Sequence, residues 1–471
     1  MKQVDVAIIG AGSAGLTARG KLAKNTDNYV IIDGGALGTT CARVGCMPSK
    51  VLIQVANDYH RRHKFKQEGI SGAERLEINL KDSFQHVRDL RDRFVRGVLS
   101  SHQYFEDKLI RGNASFIDEH TLEVNGEKIK ANKIIIATGT SPIIPKEWLE
   151  FRDKIITSDE LFELEDFPKS MAVIGLGVIG LELGQAMNRL GIPCVAITRG
   201  TRLAGLSDPE IQNYCLNKLR EEMKVSTDGV QKIERLKNGN LLVHAGSEAF
   251  EVEKLFVSIG RSPNLKNLGI EKIKPEMDKK SVPVFDPMSF QLKSHPHIYL
   301  VGDVNNTRPV LHEATDEGGI AGMISSSNQE CFQRRTPLYI TFCDPNICVV
   351  GKSYQKLKDE GVDFITGMVS FEGQGRSIVK LKEQGLLHVY ADRKTGSILG
   401  AEFQAPEAEH LAHLLAWAIS LKLNIRETLS LPFYHPVIEE GLRTALRDAS
   451  KKLENKPSGL ELFRCEDPPI R

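Results

Sequence analysis

The sequence predicts an α/β chain built from two repeated nucleotide-binding units and a third, C-terminal α+β domain. Three observations carry that expectation. A pattern of apolar strand, glycine-rich turn, helix and second strand occurs twice. From about Pro337 the pattern gives way to short strands at antiparallel spacing. The length, 471 residues, holds three or four domains of ordinary size.

The first unit runs from Val4 to Asp33. An apolar strand enters Gly10-Ala11-Gly12-Ser13-Ala14-Gly15, a helical pattern follows, and Tyr29-Val30-Ile31-Ile32-Asp33 closes the unit. The second runs from Met171 to Thr198. It reads Ala172-Val173-Ile174, then Gly175-Leu176-Gly177-Val178-Ile179-Gly180, a helix, and Cys194-Val195-Ala196-Ile197-Thr198. This is the Rossmann-like dinucleotide fingerprint. Its three glycines serve in turn the tight turn, close approach to a pyrophosphate, and packing of helix on strand. The helix N-terminus then turns unpaired N–H groups and a favourable dipole towards the phosphates. A glycine-rich turn in some other α/β fold is the competing reading, and the full strand-turn-helix-strand context weighs against it. Two sites imply two dinucleotides. Flavin and nicotinamide are the natural pair, because one donates the hydride the other receives.

Further landmarks follow in order. Lys133 to Gly139 is an apolar strand ending in a glycine turn, and Leu255 to Asn264 repeats that design after the second unit. Ile298 to Asp303 is a strand delivering an aspartate at its carboxyl end, where α/β sheets place ligand-binding groups. Asp58 to Ser101 is charged with apolar residues at helical spacing, which predicts one or two surface helices. In the C-terminal domain, Ile378 to Leu381, Leu386 to Tyr390 and Ser397 to Ala401 read as strands, and helices are expected over Glu407 to Leu423 and Ile438 to Leu453.

Composition excludes several classes. Hydrophobic content is 41% and charged content 26%, and the formal net charge is +1, so no strong field invites nucleic acid or an anionic membrane. No apolar run is long enough to span a bilayer, and the N-terminus runs into glycines rather than a cleavage site. Eight cysteines are too few for a disulfide scaffold in this length. The expectation is a cytoplasmic chain with mostly reduced thiols, no membrane and no nucleic-acid partner.

Cys41 and Cys46 stand out in Thr40-Cys41-Ala42-Arg43-Val44-Gly45-Cys46-Met47-Pro48-Ser49-Lys50. A zinc site would need a second ligand pair, and none follows nearby; no metal is expected. Two buried inert thiols are the bland reading. A redox pair is the other, since a helix N-terminus near Pro48 lowers thiol pKa. An undistorted helix holds positions five apart too widely for a disulfide, but Gly45 and Pro48 are candidates for a local distortion. Cys343 and Cys348 repeat the spacing without a fingerprint nearby and read as structural. Cys465 is a lone cysteine.

Taken together, the motifs resemble the pyridine nucleotide–disulfide oxidoreductases, the family of dihydrolipoamide dehydrogenase, glutathione reductase and mercuric reductase, with the pattern most like the first. The resemblance rests on both fingerprints, Cys41-x4-Cys46 with Pro48-Ser49-Lys50, Ala137-Thr138-Gly139, Glu182, Gly260-Arg261-Ser262-Pro263-Asn264, Gly302-Asp303, and His435-Pro436 with Glu440. It implies an FAD domain over 1–149, an NAD(P) domain over 150–270, a central domain over 271–336 and an interface domain over 337–471, assembled as a homodimer. By the same resemblance Cys46 is the thiol that contacts the flavin and Cys41 the one that meets the substrate. His435 is the acid/base, oriented by Glu440 and donated across the dimer interface. Asp33 holds the adenosine ribose of FAD, Asp303 its ribityl chain, and Thr138 and Gly139 lie against the cofactor. Lys50 and Glu182 sit as an ion pair near flavin and nicotinamide, with Arg261 close to the latter.

Four departures from the family's pattern matter. Asp33 stands where Glu is more frequent. Tyr434 and Val437-Ile438 alter the histidine's surroundings. The vicinal C-terminal cysteines of mercuric reductases are missing around Cys465, which argues against mercury. Thr198 occupies the place of the acid that NAD-linked relatives use for the ribose, with Arg199 and Arg202 beside it. The implied activity is dithiol–disulfide exchange between NAD or NADP, FAD, the cysteine pair and a small disulfide or dithiol such as lipoamide, with a 2-oxo acid dehydrogenase complex as a candidate partner. Rival readings are an NADPH-dependent reductase of glutathione-reductase type, a flavin transhydrogenase or quinone reductase, and a non-enzymatic flavoprotein.

Overall fold

A computed structural model describes residues 1–326, 330–455 and 459–466. The first sheet is centred on Lys2–Ile9, whose residues Val6 to Ile9 are almost wholly buried. It pairs in parallel with Tyr29–Asp33 on one side and Glu127–Ile136 on the other, with Ile8 opposite both Ile31 and Ile135. Helix α1 (Ser13–Leu22) follows the first glycine turn. Between Tyr29–Asp33 and Leu109–Arg111, which also pair in parallel, come α2 (Thr40–Val44), α3 (Cys46–His60) and α4 (Leu80–Ser100). The charged segment after Asp58 is thus the end of α3, two short 3-10 turns and α4. Helix α4 is capped by Asn79, and it is more than a surface helix, because Phe84 and Val87 are fully buried in the core it shares with α3.

The second unit repeats the design. Met171–Ile174 pairs in parallel with Cys194–Ile197 and Lys254–Val257, with α5 (Val178–Arg189) and α6 (Pro209–Glu222) following in sequence. A short ribbon, Thr140–Pro142 against Arg261–Pro263, ties the two units together.

The chain then returns to the first sheet. Ile298–Leu300 pairs with Glu127–Ile136, and α7 (Leu311–Ser326) packs along α1. The approach is close enough that a Cβ on Gly318 would lie 2.1 Å from Ala14 O, and one on Gly322 2.3 Å from Ala18 O. The stretch from 298 to 326 therefore builds onto the sheet and helix of the first unit. Strand order, not local pattern, decides this, because a parallel strand joins its sheet from far away in sequence.

The C-terminal domain is a five-stranded antiparallel sheet in the order Leu338–Thr341, Asn346–Gly351, Ile398–Ala405, Leu386–Asp392, Phe364–Ser370. Helices Ala408–Ser420 and Glu440–Ser450 pack against it, shorter at both ends than their apolar patterns suggested. One expected strand is not there. Ile378 and Val379 end a short helix, Gly375–Val379, which the Gln374 side chain caps by accepting from Ser377 N. The fold class is the one expected from sequence. Among the described residues no helix is long and apolar enough to cross a membrane.

Candidate active site

A cleft of about 1520 Å³ runs between the two nucleotide-binding units and reaches the edge of the C-terminal sheet. Both glycine turns line it, and they are built alike. Gly10 has φ +109°, and a Cβ there would lie 2.4 Å from Ala137 O. Gly175 has φ +93°, with Ser258 O at 2.7 Å from the corresponding position. These are the tight turns. A Cβ on Gly15 or Gly180 would sit 1.9 Å from the carbonyl of Gly10 or Gly175, so these positions serve helix-on-strand packing. From Gly12 and Gly177 the Cβ direction is open, and both line the cleft. The approach needed by a pyrophosphate is therefore free at the second glycine of each turn.

Around the first turn, Asp33 accepts from Ala11 N at 2.6 Å and from Gly35 N at 2.7 Å. Asn264 donates to the carbonyls of Thr138 and Gly139, at 3.0 Å from its side chain and 2.9 Å from its backbone. The Thr138 hydroxyl, on the cleft wall, is buried without a partner among the described residues. Asp303 sits in the turn after Ile298–Leu300, where burial pushes its carboxyl above the usual range against the pull of Arg261. Arg261 itself donates to Thr140 Oγ1 at 2.9 Å and Thr140 O at 2.8 Å, bracing the ribbon between the units.

The two cysteines flank a helix break. Helix α2 ends at Gly45, whose φ and ψ are both −121°. A Cβ at Gly45 would press to 3.0 Å from Thr40 O. Helix α3 then begins at Cys46, with Pro48 in its first turn, where no N–H is required. The break brings the free thiols of Cys41 and Cys46 together on the cleft wall. The neighbouring Cys41 thiol stabilises the Cys46 thiolate and, helped by the positive charge of Lys50, lowers its pKa to about 7 against the opposing effect of burial. The same pairing pushes the Cys41 thiol up. Lys50 Nζ lies 2.7 Å from Glu182 Oε2, and Glu182 Oε1 accepts from Phe342 N at 2.8 Å. The Phe342 ring lies 4.7 Å from the same ammonium. Phe342 carries no signature in the sequence, since a backbone N–H donor leaves no residue preference behind.

His435 lies elsewhere. Its Nδ1 is 3.0 Å from Glu440 Oε1 and 3.2 Å from Oε2, and Val437 N also donates to Glu440. The bond to His435 holds the Glu440 carboxyl below the usual range. The His435 side chain is 81% exposed and does not line this chain's own cleft. Tyr434, Trp417 and Leu421 are exposed apolar groups on the same domain. Cys343 and Cys348 are buried, and burial pushes both thiols well up.

Comparison with known proteins agrees with this geometry. The model of the pyridine nucleotide-disulphide oxidoreductases matches residues 4–318, and that of their dimerisation domain matches residues 338–446. The chain belongs to this family. A mercuric reductase of Lysinibacillus sphaericus is 29% identical over 452 residues, covering 94% of this chain and 82% of that one. A dihydrolipoyl dehydrogenase of Manduca sexta is 31% identical over 470 residues, covering 94% and 91%. Among solved structures, the Cu(II) complex of the HOCl-induced flavoprotein disulfide reductase RclA from Escherichia coli superposes with a TM-score of 0.82 at 21% identity. It covers 95% of this chain and 99% of that one, a likeness of fold.

The family is FAD-dependent and uses a nicotinamide dinucleotide, and the residues present here fit both groups. The open Gly12 approach, the unpartnered Thr138 hydroxyl and half-buried Asp303 suit the first. The open Gly177 approach and the cleft-lining Thr198 and Arg199 suit the second. Thr198 is buried, and among the described residues neither Arg199 nor Arg202 has an ion-pair partner.

Proposed function

We propose that this chain is an FAD-dependent dithiol–disulfide oxidoreductase that takes electrons from NADPH and reduces a small disulfide, working as a homodimer. The observation that carries the reading is the pair of free thiols across the Gly45 break on the cleft wall, with Cys46 acidified beside Cys41 and Lys50. Bound FAD supplies two-electron transfer between the nicotinamide and the thiols. In the reduced pair, Cys46 holds the negative charge and Cys41 holds the proton. Cys41 must lose that proton to attack a disulfide RS–SR′. It then forms Cys41–S–S–R and releases R′S⁻, and Cys46 displaces RS⁻ from Cys41 to close the Cys41–Cys46 disulfide. The substrate gains two electrons, and the pair loses them. A base near neutral pH suits the first step, and an acid the protonation of the leaving thiolates. A histidine oriented by a carboxylate can do both. His435 is exposed on the dimerisation domain, so the reading gives this role to the partner subunit's His435.

NADPH is assigned from Thr198 and Arg199, which put no carboxylate against a 2′-phosphate and, among the described residues, an unpaired guanidinium on the cleft wall. The deciding experiment is turnover with NADPH and NADH against oxidised lipoamide, glutathione disulfide and a quinone in parallel. Reduction of the quinone alone, unchanged in Cys41→Ser, would overturn the disulfide reading.

A further inference from the structure

Beneath Asp303 lies a set of buried charges used by neither the thiol chemistry nor the glycine turns. Residues Gly302–Asn305 form one 3-10 turn after the strand Ile298–Leu300. Glu317 of α7, its side chain 2% exposed, accepts from Gly302 N at 2.7 Å and from Asn305 Nδ2 at 2.6 Å. Both ends of the turn that carries Asp303 are thus held by one carboxylate oxygen. The other oxygen accepts from Arg334 Nη2 at 2.5 Å. Arg334 comes from the connection between α7 and the C-terminal domain and lies 5.3 Å over the Phe290 ring. It also reaches Glu313 Oε2 at 2.7 Å, and Glu313 Oε1 accepts from Arg308 at 2.8 Å. The phenol of Tyr339, pushed up by burial, lies within the field of this cluster.

A buried carboxylate is costly unless it is paired and hydrogen-bonded. Burial pushes Glu317 up to about 7, and Arg334 is the foremost group opposing that shift. The ionised acceptor that holds the turn therefore depends on a guanidinium outside the turn.

We infer that Glu317, paired with Arg334, is a positioning residue for the flavin: it fixes the Gly302–Asn305 turn in the shape that presents Asp303 to FAD. This rests on the assignment of Asp303 to FAD. A protonated or amide side chain at 317 offers one acceptor in place of two and loses the charge-assisted bonds, so the turn loosens and the cofactor's grip weakens.

The test is release of FAD from diluted holoenzyme, read as recovery of free-flavin fluorescence at several pH values between about 6 and 9. Glu317→Gln is expected to weaken FAD binding about ten- to hundredfold above about pH 7, and less towards pH 6, where the wild-type carboxyl is itself largely protonated. Arg334→Gln is expected to weaken it near neutral pH and to recover towards wild type as pH rises. Burial already pushes Glu317 up to about 7 with Arg334 in place, so loss of the cation pushes it further up and the variant's recovery should lie at higher pH than the wild type's. A merely structural role would lower the melting temperature of both variants without that pH-dependent recovery, and this result would overturn the inference. Asp303→Asn separates the two levels. If it weakens FAD while Glu317→Gln and Arg334→Gln do not, the positioning role falls and the site assignment stands. If Asp303→Asn leaves FAD binding unchanged, both fall. Should Glu317→Gln fail to fold, the pH profile of Arg334→Gln decides alone.

Discussion

Lys50 Nζ and Glu182 Oε2 stand 2.7 Å apart and join the helix that begins at Cys46 to the helix of the second glycine turn. Glu182 is only 4% exposed, and its second oxygen takes the Phe342 backbone N–H. Three domains thus meet at one carboxylate, and the ammonium it holds acts on the Cys46 thiol.

That geometry sets a pH dependence. The Cys46 pKa is lowered, so its thiolate is present above about pH 7 and is lost as pH falls through that value. Lys50→Met removes one of the charges that favour the thiolate, so the midpoint should move upward. Thiolate absorbance of the reduced protein against pH measures it. A midpoint unchanged in Lys50→Met would remove Lys50 from the account.

The cysteines divide the work. Cys41→Ser should keep a thiolate at Cys46, and with it the long-wavelength absorbance of a thiolate against the flavin, while losing disulfide turnover. Cys46→Ser should lose both. If Cys46→Ser still reduced disulfides at the wild-type rate, the redox-pair reading would be wrong.

His435→Gln should lower turnover about a hundred- to ten-thousandfold, the range for general acid–base catalysis, with FAD retained. Glu440→Gln should give a smaller loss, since it removes the orienting partner at 3.0 Å and leaves the imidazole. Because His435 does not line its own chain's cleft, mixing inactive Cys41→Ser and His435→Gln proteins should restore activity once subunits exchange. Absence of recovery after demonstrated exchange would place the whole site in one chain.

Much of this was readable from the chain because the motifs are local. A glycine turn announces itself through φ values and close approaches that only glycine permits, as at Gly10 and Gly175. Gly45 marked the distortion between the cysteines for the same reason. What was not readable is set by distance in sequence. Ile298–Leu300 joins the first sheet across more than a hundred residues, and its own pattern carries no record of its partner. Phe342 contributes a backbone N–H and a ring face, neither of which demands a particular residue. Ile378 and Val379 carry β-branched strand propensity, which the capping side chain of Gln374, four positions before Ile378, overrides in favour of a short helix. Glu317 belongs to no motif in the sequence, and only its burial singles it out.

The nicotinamide preference is the sharpest remaining test. Thr198 follows the strand Cys194–Ile197 and is buried, so the position where a carboxylate would bind both ribose hydroxyls carries none. Arg199 lies on the cleft wall against Gly229, where a Cβ would meet its Cγ at 2.7 Å. It is exposed and unpaired among the described residues, so its charge is available to a 2′-phosphate. The competing account is a pair of solvated surface arginines, which would leave no preference between the cofactors. A charge-assisted contact contributes about 1.5–3 kcal/mol, or about ten- to hundredfold in selectivity. NADPH should therefore at least rival NADH in kcat/KM. Arg199→Ala should reduce the NADPH value by about that factor, chiefly through KM, and leave NADH nearly unchanged. Raising salt should erode the NADPH advantage in the wild type more than in the variant, because an exposed guanidinium is screened. A strong NADH preference that Arg199→Ala does not alter would return the chain to an NAD-linked reductase and leave Thr198 as a substitution without a role in cofactor choice.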